Sequence, residues 1–105
     1  MKLKDRFAII TGASEGFGEQ IARRFVREGA SVLLCARRQV VLQRVHAGLA
    51  PTLQPGQRAL IMPVDVTREV DVKSMIACAA GEFPRLDILV NCAGVAGPRG
   101  PADET

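Results

Sequence analysis

Apolar residues in this chain fall into two alternating textures. Phe7-Ala8-Ile9-Ile10 is an unbroken apolar run closed by Thr11-Gly12, too short for a helix and suited to a strand buried on both faces. From Gly16 to Glu28 the apolar residues Phe17, Ile21, Ala22, Phe25 and Val26 recur at helical spacing, and Gly29 supplies the stop. Ser31 to Ala36 is a second buried run, and Val41, Leu42, Val45 and Leu49 mark a second helix ending near Pro51. Residues 51–58, with Pro51, Pro55 and Gly56, read as a loop. Ala59 to Val64 is a third strand. Val72, Met75, Ile76, Ala79 and Ala80 stripe a third helix, with Thr67 as its expected N-cap, Glu69 and Asp71 in its first turn, and Gly81 and Pro84 as its end. Ile88-Leu89-Val90 is a fourth strand, and the chain from Gly94 on reads as loop.

The order is therefore β-α-β-α-β-α-β. Alternation of this kind implies a parallel sheet with right-handed crossovers. The runs are continuous rather than alternating, which fits a sheet covered on both faces. The fold class expected is α/β, a doubly wound parallel sheet in strand order 3-2-1-4. Pro63 removes a ladder donor, so the third strand belongs at an edge, where that order puts it.

Composition narrows the function. The chain has 105 residues, 48% apolar and 24% charged, an ordinary globular balance for one small domain. Its apolar runs are far short of the roughly 20 residues that cross a bilayer, and its basic start is followed by no apolar core segment, so neither a secretory signal nor a membrane partner is expected and a cytoplasmic location is. The net charge of +3, with four Phe and no Tyr or Trp, does not favour nucleic acid; Arg23, Arg24 and Arg27 read as a solvated helix face. Cys35, Cys78 and Cys92 are odd in number and widely spaced, with no metal or redox pattern, and read as small buried hydrophobes. His46 has no companion ligand and reads as structural, so no metal is expected.

The chemistry lies in Thr11-Gly12-Ala13-Ser14-Glu15-Gly16-Phe17-Gly18, which joins the first strand to the first helix. Gly12 can take the backbone angles of a sharp turn. Gly16 leaves room for a ligand to approach the backbone, and Gly18 lets the helix pack closely. The amides at the start of the helix then face an anion, normally a phosphate. The strand–loop–helix setting turns a weak glycine pattern into an informative one.

The spacing Gly-x-x-x-Gly-x-Gly resembles the signature of the short-chain dehydrogenase/reductase family. Asp65-Val66-Thr67 after the third strand and Asn91-Cys92-Ala93-Gly94 after the fourth resemble two more of its motifs, with Cys92 in place of the family's second Asn. The resemblance runs along essentially the whole chain and implies a Rossmann-like fold. It also implies roles. The loop Gly12, Ser14, Glu15, Gly16, Phe17 and Gly18 would hold the pyrophosphate and adjacent ribose, with Ser14 offering a hydroxyl. Asp65 would accept from the adenine amino group, with the Val66 amide beside the ring. Asn91, Ala93 and Gly94 would flank the cofactor.

At the end of the second strand an acid would bind the ribose hydroxyls of NAD, whereas an Arg accommodates the 2′-phosphate of NADP. The residues there are Ala36-Arg37-Arg38, so NADP(H) is expected in preference to NAD(H), although Glu15 stands where many NADP users carry Arg or Ser. The family's Ser, Tyr and Lys, and an Asn on the helix after the fourth strand, cannot be placed in residues 1–105, which contain no Tyr. The expectation is a single, partial dinucleotide-binding domain over residues 1–105, truncated after the fourth strand. It would be the N-terminal part of an NADP(H)-dependent oxidoreductase acting on an alcohol or ketone, and inactive alone. In full-length form it would be a homo-oligomer with a small alcohol or carbonyl substrate. The alternatives are a catalytically inactive dinucleotide-binding module and a remnant without ligand affinity. A bare fourth-strand edge would favour self-association and marginal stability.

Overall fold

The computed structural model describes residues 2–13 and 16–92. Four strands, β1 (Phe7–Thr11), β2 (Ser31–Ala36), β3 (Ala59–Pro63) and β4 (Ile88–Asn91), alternate with α1 (Gly16–Arg27), α2 (Gln39–Leu49) and α3 (Glu69–Glu82). All pairings are parallel and the sheet order is β3-β2-β1-β4, a Rossmann-like α/β arrangement. Thr11 lies beside Cys35 on one side and Asn91 on the other, and Ala36 lies beside Pro63, so the C-terminal ends of the strands come level.

Successive side chains of a strand point to opposite faces. Ala8, Ile10, Val32 and Leu34 thus share one core with Ala22 and Val26 of α1 and Leu42, Val45 and Leu49 of α2. Ile9, Leu33 and Cys35 share the other with Met75 and Ala79 of α3, Val64 and Phe83. Every residue of β2 is buried, as a strand with neighbours on both sides and helices on both faces requires. Pro63 sits on the edge strand β3, and the ladder continues past it through the Val64 N–H to the Ala36 carbonyl at 2.8 Å. His46 is structural: its Nε2–H donates to the Ala59 carbonyl at 2.9 Å and ties α2 to β3.

Four local expectations change. Thr67 is not the N-cap of α3; Arg68 is, and the Thr67 hydroxyl turns back to Asp65 instead. Gly81 does not end α3, which runs to Glu82 with Phe83 as its C-cap, because the Phe83 ring is drawn into the core against Phe7, centroids 5.1 Å apart. The loop after α2 opens with a short 3-10 turn, Ala50–Thr52, where the Thr52 hydroxyl donates to the Leu49 carbonyl at 2.7 Å. Of the α3 stripe, Ile76 and Ala80 are exposed on its flank, while Met75 and Ala79 face the sheet. Among the described residues β4 pairs with β1 alone, and Leu89 is 54% exposed.

Candidate functional site

The first strand ends in a turn that only glycine suits. Gly12 has φ 71°, in the left-handed region, and redirects the chain from β1 towards α1. The turn is pinned to the sheet by the Ala13 N–H, which donates to the Cys35 carbonyl at 3.1 Å. α1 then comes down on the turn. A Cβ on Gly18 would fall 2.8 Å from the Gly12 carbonyl carbon and 3.0 Å from the Ala13 Cα, and closer still to the Gly12 oxygen. A Cβ on Gly16 would meet nothing within 4 Å. One glycine permits backbone contact inside the protein; the other leaves open ground at the start of a helix whose first amides lack intrahelical partners. Phe17 beside it is 60% exposed.

The other expected residues gather at the same end of the sheet. β1 is the strand at which the order reverses, with β2 and β3 on one side and β4 on the other, and ligands of open α/β sheets bind outside the strand ends at such a point. Asn91 closes β4 there. Its Oδ1 accepts from the buried Thr11 hydroxyl at 2.8 Å, and the Cys92 N–H donates to the Thr11 carbonyl at 3.0 Å. Arg37 and Arg38 follow β2 with exposed side chains. Asp65 and Val66 follow β3. The Asp65 carboxyl is held below its ordinary range, first by the Thr67 hydroxyl and amide, which outweigh the opposing effect of burial, and then by the smaller effects of the Arg37 and Arg68 charges. Arg37 and Asp65 thus belong to one electrostatic neighbourhood although 28 positions separate them in the chain.

The short chain dehydrogenase family model matches residues 6–105. The chain belongs to the short-chain dehydrogenase family. Over 94 residues the chain is 38% identical to human 3-hydroxyacyl-CoA dehydrogenase type-2, with 90% of the chain and 34% of that protein covered. It is 39% identical over 88 residues to the NADP-dependent 3-hydroxy acid dehydrogenase of Shigella flexneri, covering 84% of the chain and 33% of the relative. The hydroxysteroid dehydrogenase structure from Escherichia coli superposes with a TM-score of 0.83 at 33% identity, over 93% of this chain and 40% of that one. The chain thus spans about a third of the length of the relatives it matches.

In this member of the family, Gly12, Gly16, Phe17, Gly18, Arg37, Arg38, Asp65, Val66 and Asn91 all lie at the C-terminal end of the sheet. Ser14, Glu15, Ala93 and Gly94 lie outside the described residues. Three further residues at this end hold the expected site residues in place, a role that motif spacing alone does not assign to them. Thr11 links β1 to the Asn91 side chain, Thr67 holds the Asp65 carboxylate, and Asp71 accepts from the Asp65 N–H at 2.9 Å. The Asp-x-Thr spacing was the available signal, since an Asx turn bonds two residues on. Helix-capping chemistry uses the same residue types, so a threonine ahead of a helix fits either role.

Proposed function

We propose that this chain is the cofactor-binding part of an oxidoreductase that transfers hydride between a nicotinamide dinucleotide and an alcohol or ketone, with NADP(H) preferred to NAD(H). The observation that carries the reading is the pair Gly16 and Gly18: open space at the first and backbone contact at the second, over a turn with positive φ at Gly12. That cradle fits a diphosphate, which needs close approach to backbone amides at a helix start. The Gly12–Gly18 loop, Ser14 and Glu15 included, would hold the pyrophosphate and ribose. Asp65 would accept from the adenine amino group beside Val66, and Asn91, Ala93 and Gly94 would line the nicotinamide side. When bound, the nicotinamide supplies or accepts the hydride. Arg37, with Arg38 beside it, offers a planar fork to a 2′-phosphate, and no carboxylate stands at Ala36 to select a free 2′-hydroxyl. The NADP dependence named for the Shigella flexneri relative supports this preference.

Residues 1–105 contain no Tyr, so the family's tyrosine acid–base chemistry is not among them, and we read this part as holding the cofactor rather than turning over substrate. The test is a pair of titrations, NADPH and NADH, on wild type and Arg37→Ala. NADPH should bind more tightly to wild type, and the substitution should weaken NADPH by about tenfold or more while leaving NADH nearly unchanged, the scale of charged hydrogen bonds to one phosphate. Equal affinities in wild type would overturn the NADP preference; no binding of either would overturn the cofactor reading.

A further inference from the structure

The corner between β3 and α3 carries polar bonds that building the corner does not need. Asp65 Oδ1 accepts twice from Thr67, from the hydroxyl at 2.6 Å and from the N–H at 3.0 Å. The Asp65 N–H donates separately to Asp71 Oδ2 at 2.9 Å. The turn itself is already closed through the backbone, by the Arg68 N–H to the Asp65 carbonyl at 3.0 Å. Arg68, the N-cap of α3, makes no side-chain capping bond. What the Thr67 hydroxyl adds is therefore control of a carboxylate.

An untied carboxylate at a strand end rotates about its broad terminal torsion and offers either oxygen to whatever donor is near. With Oδ1 occupied by two donors from one residue, the plane of the Asp65 carboxylate is set, and Oδ2 faces one direction. We infer that Thr67 is a positioning residue, holding Asp65 so that this end of the site accepts a purine with an amino group at its six-position and rejects one with a carbonyl there. The inference rests on the dinucleotide reading above. Adenine presents an N–H donor at that position. Hypoxanthine presents an acceptor oxygen and carries a proton on the neighbouring ring nitrogen. An ionised carboxylate can only accept, so it is repelled by the oxygen. A carboxylate free to swing reaches the ring N–H instead and tolerates hypoxanthine; a fixed one cannot. The same hydroxyl bond helps keep Asp65 ionised, and therefore purely an acceptor.

The experiment titrates the full-length protein with NADPH and with its hypoxanthine counterpart. Three forms are compared: wild type, Thr67→Val and Thr67→Ser. Valine keeps the shape and the N–H but removes the hydroxyl; serine restores the hydroxyl. Wild type should prefer NADPH, valine should narrow that preference by about tenfold, and serine should retain it. A merely structural role for Thr67 would weaken both ligands by the same factor, and that result, or an unchanged ratio, overturns the inference. A wild type that binds both ligands equally overturns it while leaving the dinucleotide reading standing. A wild type that binds neither overturns both.

Discussion

At the scale of single residues, Gly16 and Gly18 are two positions apart and ask for different measurements. Gly18 faces the Gly12 carbonyl, where even a methyl group overlaps backbone that cannot move aside without opening the turn. Gly16 faces open space, and its φ lies outside the left-handed range. Gly18→Ala should therefore destabilise the fold by about 1–3 kcal/mol, the usual cost of overpacking, and weaken NADPH as a consequence. Gly16→Ala should leave the melting temperature level or slightly raised, since alanine suits a helix better, and should weaken NADPH binding all the same. Thermal melts and NADPH titrations on the two variants separate these outcomes. A Gly16→Ala protein that binds NADPH as well as wild type would remove the phosphate from that position. The same contrast shows what was readable beforehand. That glycine belonged at each position followed from spacing; which one touches protein and which one touches ligand needed the path of α1 over the turn.

At the scale of elements, the strands and their order were legible because the apolar runs are too short for helices and are bounded by turn residues, and Pro63 suited an edge. Thr67 and Gly81 depart from the roles their spacing predicts because their local preferences serve two geometries. A threonine before a helix can cap it or close an Asx turn, and a glycine near a helix end yields when the following Phe83 gains a buried position. That β4 lies beside β1 follows from the strand order, but the side-chain clasp at the start of their ladder was not legible, since it brings Phe7 together with Arg85 and Asp87, distant in the chain. Asp87 Oδ2 accepts from the Phe7 N–H at 2.9 Å, and Oδ1 accepts from Arg85 Nε at 3.0 Å, while Arg85 also lies over the Phe7 ring at 5.4 Å. Burial opposes the charge on Asp87, but Phe7, Arg85 and Arg6 together hold its carboxyl below the ordinary 3.8. A depressed carboxyl pKa gives stability that is present above the unfolded value and is lost as pH falls through the folded one. Asp87→Asn should thus lower the melting temperature near neutrality, and the gap to wild type should shrink as the pH drops below 3.8. A gap that stays constant with pH would show that shape, not charge, holds the seam.

At the scale of the whole molecule, the titrating groups bound stability on both sides. Glu28, Asp65 and Asp87 all lie below their ordinary values, each with hydrogen-bond donors on its carboxylate, so acid destabilises the fold. The alkaline bound comes from the core. Cys35 is fully buried in β2 beneath α3, and burial, with a smaller effect of Cys78, pushes its thiol from 9.0 up to about 12. The sign is opposite to that of the carboxylates. Above 9.0 the unfolded chain releases this proton while the folded one keeps it, so stability falls as pH rises towards 12. Each pH unit in that window costs up to about 1.4 kcal/mol from this one group. Burial pushes the Cys92 thiol the same way. Urea unfolding under reducing conditions at about pH 8 and about pH 10 should show wild type losing on the order of 1 kcal/mol between them. Cys35→Ala should start lower, because a small cavity replaces the sulfur, yet lose less over the same interval. An alanine variant with the same alkaline decline would place the titration elsewhere and leave Cys35 a packing residue only.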